Sequence, residues 1–203
     1  MAESKTLHDV FLDELRDTFN SESQLTKALP KLARAASSPE LRRAFESHLK
    51  ETHGHLKRLE KVFASLDAKA RGKQCDGMAG IIEEGKSIMD EDLDDTTMDA
   101  CLIAAAQRAE HYEMAAYGSL VAWARAMGHD EAAGLLEQTL EEEKAADEKL
   151  SSLAEGGINQ EAADTAHPDA EEEDDEASTM RSRSSKGYSS RLPVATAAAK
   201  RRR

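Results

Sequence analysis

Apolar residues recur at intervals of three and four in four long stretches of the chain, which is the period of an amphipathic helix. The first stretch, helix A, is predicted to begin at Thr6, because Asp9 three residues later completes a capping box. Pro30 is predicted to kink this helix one turn before its end. The apolar seam of helix A contains Phe11, Leu15, Phe19, Leu25, Leu29 and Leu32.

The second and third stretches carry recognisable signals at their ends. Helix B is predicted to open at Ser38–Pro39, since serine is a good cap and proline is tolerated at the first helical position. Helix C is predicted to start near Thr96, with Asp99 as its capping-box partner, and to stop at Gly128. Both helices are long enough to form one side of a bundle.

Helix D is predicted to begin after His129–Asp130 and to end near Ala154, before Gly156–Gly157. The A–B and C–D connections are short, so each pair forms an antiparallel hairpin. About thirty residues separate helices B and C, including a short helical piece around Met78–Met89. A long crossover between two hairpins is the ferritin-like connectivity. The predicted fold is therefore an all-α, ferritin-like four-helix bundle over residues 1–160.

The end of the chain has a different composition. Asp169–Glu176 is almost entirely acidic, whereas Ala177–Arg203 contains no acid and ends in Lys-Arg-Arg-Arg. Such charge blocks bury no core, so residues 161–203 are predicted to form a disordered, acidic-then-basic tail. The chain of 203 residues has a net charge of -13. Since the tail is nearly neutral, the acidity belongs to the bundle.

Several classes of protein are excluded by composition. No run of apolar residues approaches the roughly 18 needed to span a membrane, so no membrane partner is expected. The two cysteines, Cys75 and Cys101, cannot build a disulfide framework, and the polar start does not resemble a secretion signal. We therefore expect a cytoplasmic protein.

Each predicted helix places a carboxylate in or beside its apolar seam. Glu110 and Glu113 occupy consecutive core positions of helix C, and Glu143 occupies one core position of helix D. Glu22 interrupts the seam of helix A, while Glu51 lies on a stripe beside the seam of helix B. At ~1.5 Å per residue, the acids of the four helices lie about 18–24 Å from their helix starts. We expect them to meet in one layer of the bundle.

Buried like charges need protonation or cations to neutralise them, and no excess of Lys or Arg lies on these stripes. A metal site is therefore predicted, and oxygen-rich sites with some imidazole suit iron or manganese better than zinc. The candidate ligands are Glu22, Glu51, Glu110, Glu113, Glu143, Asp147, His48 and His55. The Glu-x-x-His pattern of di-iron bundles is absent, since Gly54 and Ala146 stand where its histidines would be.

Other interpretations of these residues stay open. Glu141, Glu142 and Asp147 belong to an acidic run, which is also typical of a solvated helix face. His48 and His55 fit a ligand, a residue that supports a ligand, or an ordinary boundary position. A further interpretation is that the buried acids belong to a bundle that binds no metal. In that case, replacing Glu110 and Glu113 by leucine should raise the stability of the fold.

Four segments containing these acids make the sequence similar to a known family. They are Leu15–Leu25 (Leu-x-Asp-x(2)-Asn-x-Glu-x-Gln-Leu), His48–Thr52, Ala109–Gly118 (Ala-Glu-His-Tyr-Glu-x-Ala-Ala-Tyr-Gly) and Leu140–Asp147. Over residues 5–160 the chain resembles the YciE/YciF-type ferritin-like proteins of the bacterial stress response. The resemblance implies a homodimeric bundle with a di-iron site, and members of the family are often labelled ferroxidases. The matching acids are Glu22, Glu51, Glu110, Glu113 and Glu143.

Two functional hypotheses follow. The first is a di-iron protein that oxidises Fe(II) with dioxygen or peroxide, with manganese as an alternative metal and a dimanganese catalase as a variant. Whether the site turns over as an oxidoreductase is left open. The second is a non-catalytic stress protein that binds a partner or DNA, since the basic residues of Ala177–Arg203 can contact phosphates without reading sequence.

Overall fold

The computed structural model describes residues 4–166, and within this range it contains helices and no strands. Four of the helices correspond to the predicted helices A to D, and a shorter one lies in the crossover. The elements are α1 (Leu7–Ala35), α2 (Pro39–Ser65), α3 (Asp76–Met89), α4 (Asp95–Ala126), α5 (Asp130–Leu153), a π-helical segment (Ala154–Ile158) and α6 (Asn159–Ala166).

The four long helices pack as a ring. Helix α1 contacts α2 and α4, while α5 contacts α4 and α2, and α3 lies across α1 and α4. Residues 36–38 join α1 to α2, and residues 127–129 join α4 to α5, so both pairs are hairpins. Residues 66–94 form the long crossover between them. The prediction of an all-α, ferritin-like four-helix bundle is confirmed.

Most of the predicted helix ends are confirmed. Thr6 and Asp9 form the capping box of α1, and the Ser38 side chain accepts a hydrogen bond from the backbone N–H of Leu41 at the start of α2. Gly128 follows α4 with a φ of 78°, a left-handed conformation that ends a helix and suits glycine.

Helix α4 begins at Asp95, next to the predicted start at Thr96, but the predicted capping box of Asp99 was wrong. Asp94 caps α4 and accepts from the backbone N–H of Thr96, two residues before the expected box could form. Asp99 is buried, and its two oxygens accept hydrogen bonds from the backbone N–H groups of Ser37 and Ser38 at 2.8 and 2.7 Å. A contact between distant segments therefore uses the carboxylate that the local pattern assigned to a cap.

The chain remains helical beyond the predicted end of helix D. Gly156–Gly157 lies inside the π-helical segment, where Gly157 has a φ of 146° and marks a kink. Helix α6 then runs to Ala166, beyond the predicted boundary at residue 160. The acidic and basic blocks of the predicted tail lie in residues 167–203, which are outside the described residues.

Two apolar clusters fill the bundle, with a polar layer between them. The first apolar cluster includes Leu25, Leu29, Leu41, Phe45, Met78, Leu102 and Leu150. The second apolar cluster includes Phe11, Leu15, Leu59, Phe63, Leu120 and Leu136. Along α1, α2, α4 and α5 the residues of the two clusters are separated by buried polar side chains. This polar layer positions the candidate site.

Among the described residues, no helix combines the length and apolarity that crossing a membrane requires.

Candidate metal centre

Six ionisable side chains from four helices converge in the polar layer. Helix α1 supplies one, α2 two, α4 two and α5 one. They are Glu22, His48, His55, Glu110, Glu113 and Glu143, and none is more than 6% exposed. The spacings within α2 (seven residues) and α4 (three residues) keep each pair on one helix face, which is why both members point inward.

The six residues form two donor sets in which one oxygen or nitrogen per residue lies within 4.8 Å of the others. The set that we call the His48 position contains His48, Glu110, Glu113 and Glu143. The set that we call the His55 position contains Glu22, His55 and Glu143. Glu143 belongs to both, so its carboxylate is placed to bridge two ions.

One ring nitrogen of each histidine faces the carboxylates. His48 Nε2 lies 3.3 Å from Glu110 Oε1 and 3.7 Å from Glu143 Oε2. His55 Nδ1 lies 2.9 Å from Glu143 Oε1 and 3.4 Å from Glu22 Oε1. These inner nitrogens are the atoms available to a metal ion.

The other ring nitrogen of each histidine is paired with a carboxylate outside the cluster. His48 Nδ1 lies 3.3 Å from Glu51 Oε2, and His55 Nε2 lies 2.9 Å from Glu142 Oε2. An outer carboxylate that accepts a ring N–H fixes the tautomer and leaves the lone pair of the inner nitrogen free for a ligand. Both histidines therefore have the arrangement typical of metal-binding imidazole.

Glu142 is itself held in place by Arg58. The guanidinium donates from Nη2 to Glu142 Oε1 at 2.8 Å and from Nη1 to Oε2 at 3.0 Å, a two-point contact. Arg58 Nη1 also donates to the Thr139 hydroxyl at 2.7 Å. Glu51 lacks such an anchor and its side chain is 45% exposed, so the two outer carboxylates differ in mobility.

Several buried carboxylate oxygens of the cluster have no hydrogen-bond donor. The Tyr117 hydroxyl donates to Glu22 Oε1 at 2.5 Å, and the Ser21 hydroxyl donates to Glu113 Oε1 at 3.3 Å. No hydrogen bond reaches Glu22 Oε2, Glu110 Oε2, Glu113 Oε2 or either oxygen of Glu143. His55 Nδ1 lies 2.9 Å from Glu143 Oε1 but without the geometry of a hydrogen bond. An unpaired buried polar atom is costly, so these atoms fit the role of metal ligands.

The electrostatics of the cluster favour cations. Burial raises the pKa of the Glu110 and Glu113 carboxyls well above their usual range, with the neighbouring carboxylates adding to the effect. Burial lowers the pKa of His48, but the charge of Glu110 and the hydrogen bond to Glu51 raise it to about 9. The Glu143 and Glu22 carboxylates likewise outweigh burial at His55 and raise its pKa to about 11. Without metal, protons compensate the negative charge.

Two divalent ions would balance the negative charge of this donor set. Four buried glutamates carry a charge of −4 when ionised, which two divalent cations neutralise. Hard carboxylate oxygens with one imidazole per position suit iron or manganese. The residues present therefore fit a two-metal centre, and the buried His/Glu groups could hold a metal ion.

Two of the eight residues predicted as ligands lie apart from the cluster. Glu51 contacts the outer nitrogen of His48 instead of the carboxylates. Asp147 accepts a hydrogen bond from Gln107 Nε2 at 3.1 Å and lies 3.4 Å from His111 Nε2, on the outer side of α4 and α5. Ligation by any of the eight residues stays a prediction.

Sequence reasoning missed the role of Glu142. Its place in an acidic run favoured a solvated face, and nothing in the sequence signals that Arg58 and His55 meet it across the bundle. Sequence reasoning also missed the role of Tyr117, which lies in the second apolar cluster and whose hydroxyl donates to Glu22. Its position seven residues after Glu110 on the same seam was the available signal.

The fold and this cluster define a class: a four-helix bundle with a buried carboxylate–histidine centre between two apolar clusters. The chain belongs to the family described as a domain of unknown function, DUF892, whose model matches residues 6–163. The predicted relation to the YciE/YciF-type proteins is confirmed by the relatives.

Protein YciF of Escherichia coli (strain K12) is 47% identical over 163 residues, which are 80% of this chain and 98% of that protein. The crystal structure of the E. coli stress protein YciF matches with a TM-score of 0.74 and 47% identity, over 77% of this chain and 99% of that chain. YcfI from Rhodopseudomonas palustris matches with a TM-score of 0.73 and 42% identity, over 74% and 96% of the two chains.

Proposed function

We propose that this protein binds two iron ions in the polar layer and oxidises Fe(II) with dioxygen or peroxide as part of a stress response. The observation that carries the proposal is the set of buried carboxylate oxygens without hydrogen-bond donors, divided between two positions that share Glu143. The name of the E. coli relative as a stress protein supports the physiological part.

The residues of the chain have distinct parts in this function. Two iron ions, when bound, would supply the electrons that reduce the oxidant. Glu143 would hold both ions close together, while Glu22, Glu110 and Glu113 provide hard oxygen ligands that stabilise Fe(III). Tyr117 orients Glu22 through its 2.5 Å hydrogen bond. The apolar clusters on both sides limit the access of bulk water.

Iron is proposed over other metals on the chemistry of the ligands. Each position offers one imidazole and at least two carboxylates, and no thiol belongs to either set. Softer, sulfur-containing sets would favour zinc or copper. Manganese fits the same ligands, so the elemental analysis described below measures the content of both iron and manganese.

The first experiment is elemental analysis of the full chain expressed in iron-supplemented cells. We expect about two irons per chain in the parent, and none in a Glu110→Ala, Glu143→Ala double variant. A matched control removes two exposed acids, Glu60→Ala and Glu148→Ala, and should keep the metal. Oxygen or peroxide consumption after Fe(II) addition then measures turnover. Metal that stays substoichiometric after reconstitution with Fe(II) contradicts the proposal.

We also propose that the protein is a homodimer, as the family resemblance implies. Sedimentation equilibrium of the full chain should give twice the monomer mass of 22.2 kDa. A monomer at micromolar concentration contradicts this proposal.

A second function is proposed for the basic end of the chain, where Lys200–Arg203 offers four consecutive cations to phosphates. We expect retention of double-stranded DNA that weakens with salt and is lost on deletion of residues 177–203. No retention at low salt contradicts this function and leaves the metal centre as the active part.

A further inference from the structure

A pocket adjoins the His48 position of the proposed metal centre. Between α2 and α5 lies a pocket of about 200 Å³, and the residues that line it include His48, Glu51 and Glu110. The apolar part of its walls consists of Ala44, Phe45, Ala145, Ala146 and Leu150. The pocket therefore reaches two ligands of the His48 position.

The His55 position faces a different neighbourhood. The His55 side chain is fully buried, and its outer nitrogen contacts Glu142, whose carboxylate is fixed by both nitrogens of the Arg58 fork. Glu142 lines the α2–α5 pocket, but neither His55 nor Glu22 does, so the pocket reaches the outer partner of His55 and not His55 itself. An ion at this position could leave only after the Glu142–Arg58 pair or a core side chain had moved.

The mouth of the pocket carries the charge that a cation would meet first. Glu51 lines the pocket, and its side chain is 45% exposed. Its oxygen lies 3.3 Å from His48 Nδ1, and the opposite ring nitrogen lies 3.3 Å from Glu110. Three carboxylates, those of Glu51, Glu110 and Glu142, therefore line the pocket against one cation, Lys149. This net negative charge accelerates the arrival of cations.

We propose that the α2–α5 pocket is the route by which a divalent metal ion enters and leaves the His48 position, while the Glu142–Arg58 pair closes the His55 position. The two positions then exchange metal at different rates. This inference rests on the proposed function, since it requires two ions per chain. It assigns Glu51 to the entrance and Glu142 to positioning His55.

The test follows the release of Fe(II) from the loaded full chain to an excess of a chromogenic chelator under nitrogen. We expect two phases of equal amplitude. Ala146→Leu narrows the pocket and should slow the fast phase several-fold without changing the slow one. Glu142→Ala removes the outer partner of His55 and should accelerate the slow phase about tenfold or more. Circular dichroism checks that each variant is folded.

Two further variants make the result specific. Ala145 is exposed and also lines the pocket, so Ala145→Leu should slow the fast phase even if Ala146→Leu disturbs the fold. Ala115→Leu makes the same change on an exposed face of α4 outside the pocket and should leave both phases unchanged.

The possible failures are separable. A chain that does not load two irons overturns the proposed function, and this inference with it. Two irons that leave in a single phase, or a fast phase that neither alanine variant slows, overturn the inference alone. An unchanged slow phase in Glu142→Ala overturns the closing role of the Glu142–Arg58 pair.

Discussion

The polar layer and the two apolar clusters are built from the same four helices, but they have opposite effects on the stability of the metal-free fold. In the apolar clusters, side chains such as Phe11, Phe63 and Leu120 are fully buried against one another and stabilise the fold. In the polar layer, Glu113 Oε2 and both oxygens of Glu143 are equally buried and accept no hydrogen bond. Such groups weaken the metal-free fold, so the bundle must draw its stability from the clusters.

The layer also shows why this cost is tolerable. It is confined to about one turn of α1, α4 and α5 and two turns of α2, and on each helix apolar residues of a cluster lie on both sides of it. The apolar clusters therefore fix the positions of the helices without a bound metal ion. A site whose geometry is fixed by its surroundings loses less free energy to ordering when it binds an ion.

The largest change in stability is expected from a substitution inside an apolar cluster. Phe63→Ala removes a fully buried ring from the second apolar cluster, and we expect the free energy of unfolding to fall by about 3–5 kcal/mol. Urea denaturation of the metal-free protein measures it. Leu7→Ala, at a residue that is 44% exposed, is the control and should change little. A loss below 1 kcal/mol for Phe63→Ala would mean that the cluster is not the source of stability.

Asp99 tests a polar group that is satisfied, in contrast to those of the metal centre. Asp99→Ala leaves the backbone N–H groups of Ser37 and Ser38 without their acceptor, and we expect a loss of about 2–3 kcal/mol. The exposed Asp92 gives the matched control, Asp92→Ala. Equal urea midpoints for both variants would contradict the role of Asp99 in tying α4 to the α1–α2 turn.

The opposite sign is expected inside the polar layer. Glu113→Leu replaces a buried carboxyl by an apolar group of similar size, and it should raise the stability of the metal-free protein by about 1–3 kcal/mol. The same variant should lose metal from the His48 position. Glu148→Leu, on an exposed face of α5, controls for the added leucine.

Glu113→Leu also separates the metal centre from the interpretation without metal. Both interpretations expect the gain in the metal-free protein. Only a metal centre expects the parent to overtake the variant once Fe(II) is added, because an ion stabilises the state that binds it. A parent that gains no stability from Fe(II) would favour a bundle without metal.

The periodicity of the sequence predicted the fold and most of the centre, for a local reason. Seam positions are fixed by the helical repeat, so Glu22, Glu110, Glu113 and Glu143 could be placed from one helix at a time. Side-chain contacts between different helices could not be predicted from the sequence pattern. The bonds from Asp99 to the α1–α2 turn and from Glu142 to His55 join residues 61 to 87 positions apart. Neither leaves a spacing signal.

Substitution of Glu51 has the smallest expected effect, and it tests directly whether the sequence or the structure assigns the role of this residue correctly. The sequence predicts it as a ligand, whereas the structure places it on the outer nitrogen of His48. We expect Glu51→Gln to keep two irons per chain and to weaken their affinity by about tenfold, as loss of an outer partner does. Glu143→Gln, which alters the shared carboxylate, should lose tight binding at both positions. Titration with Fe(II) under nitrogen measures both, with Glu46→Gln as the exposed control on the same helix. If Glu51→Gln loses an ion outright, Glu51 is itself a metal ligand when an ion is bound, as the sequence predicts.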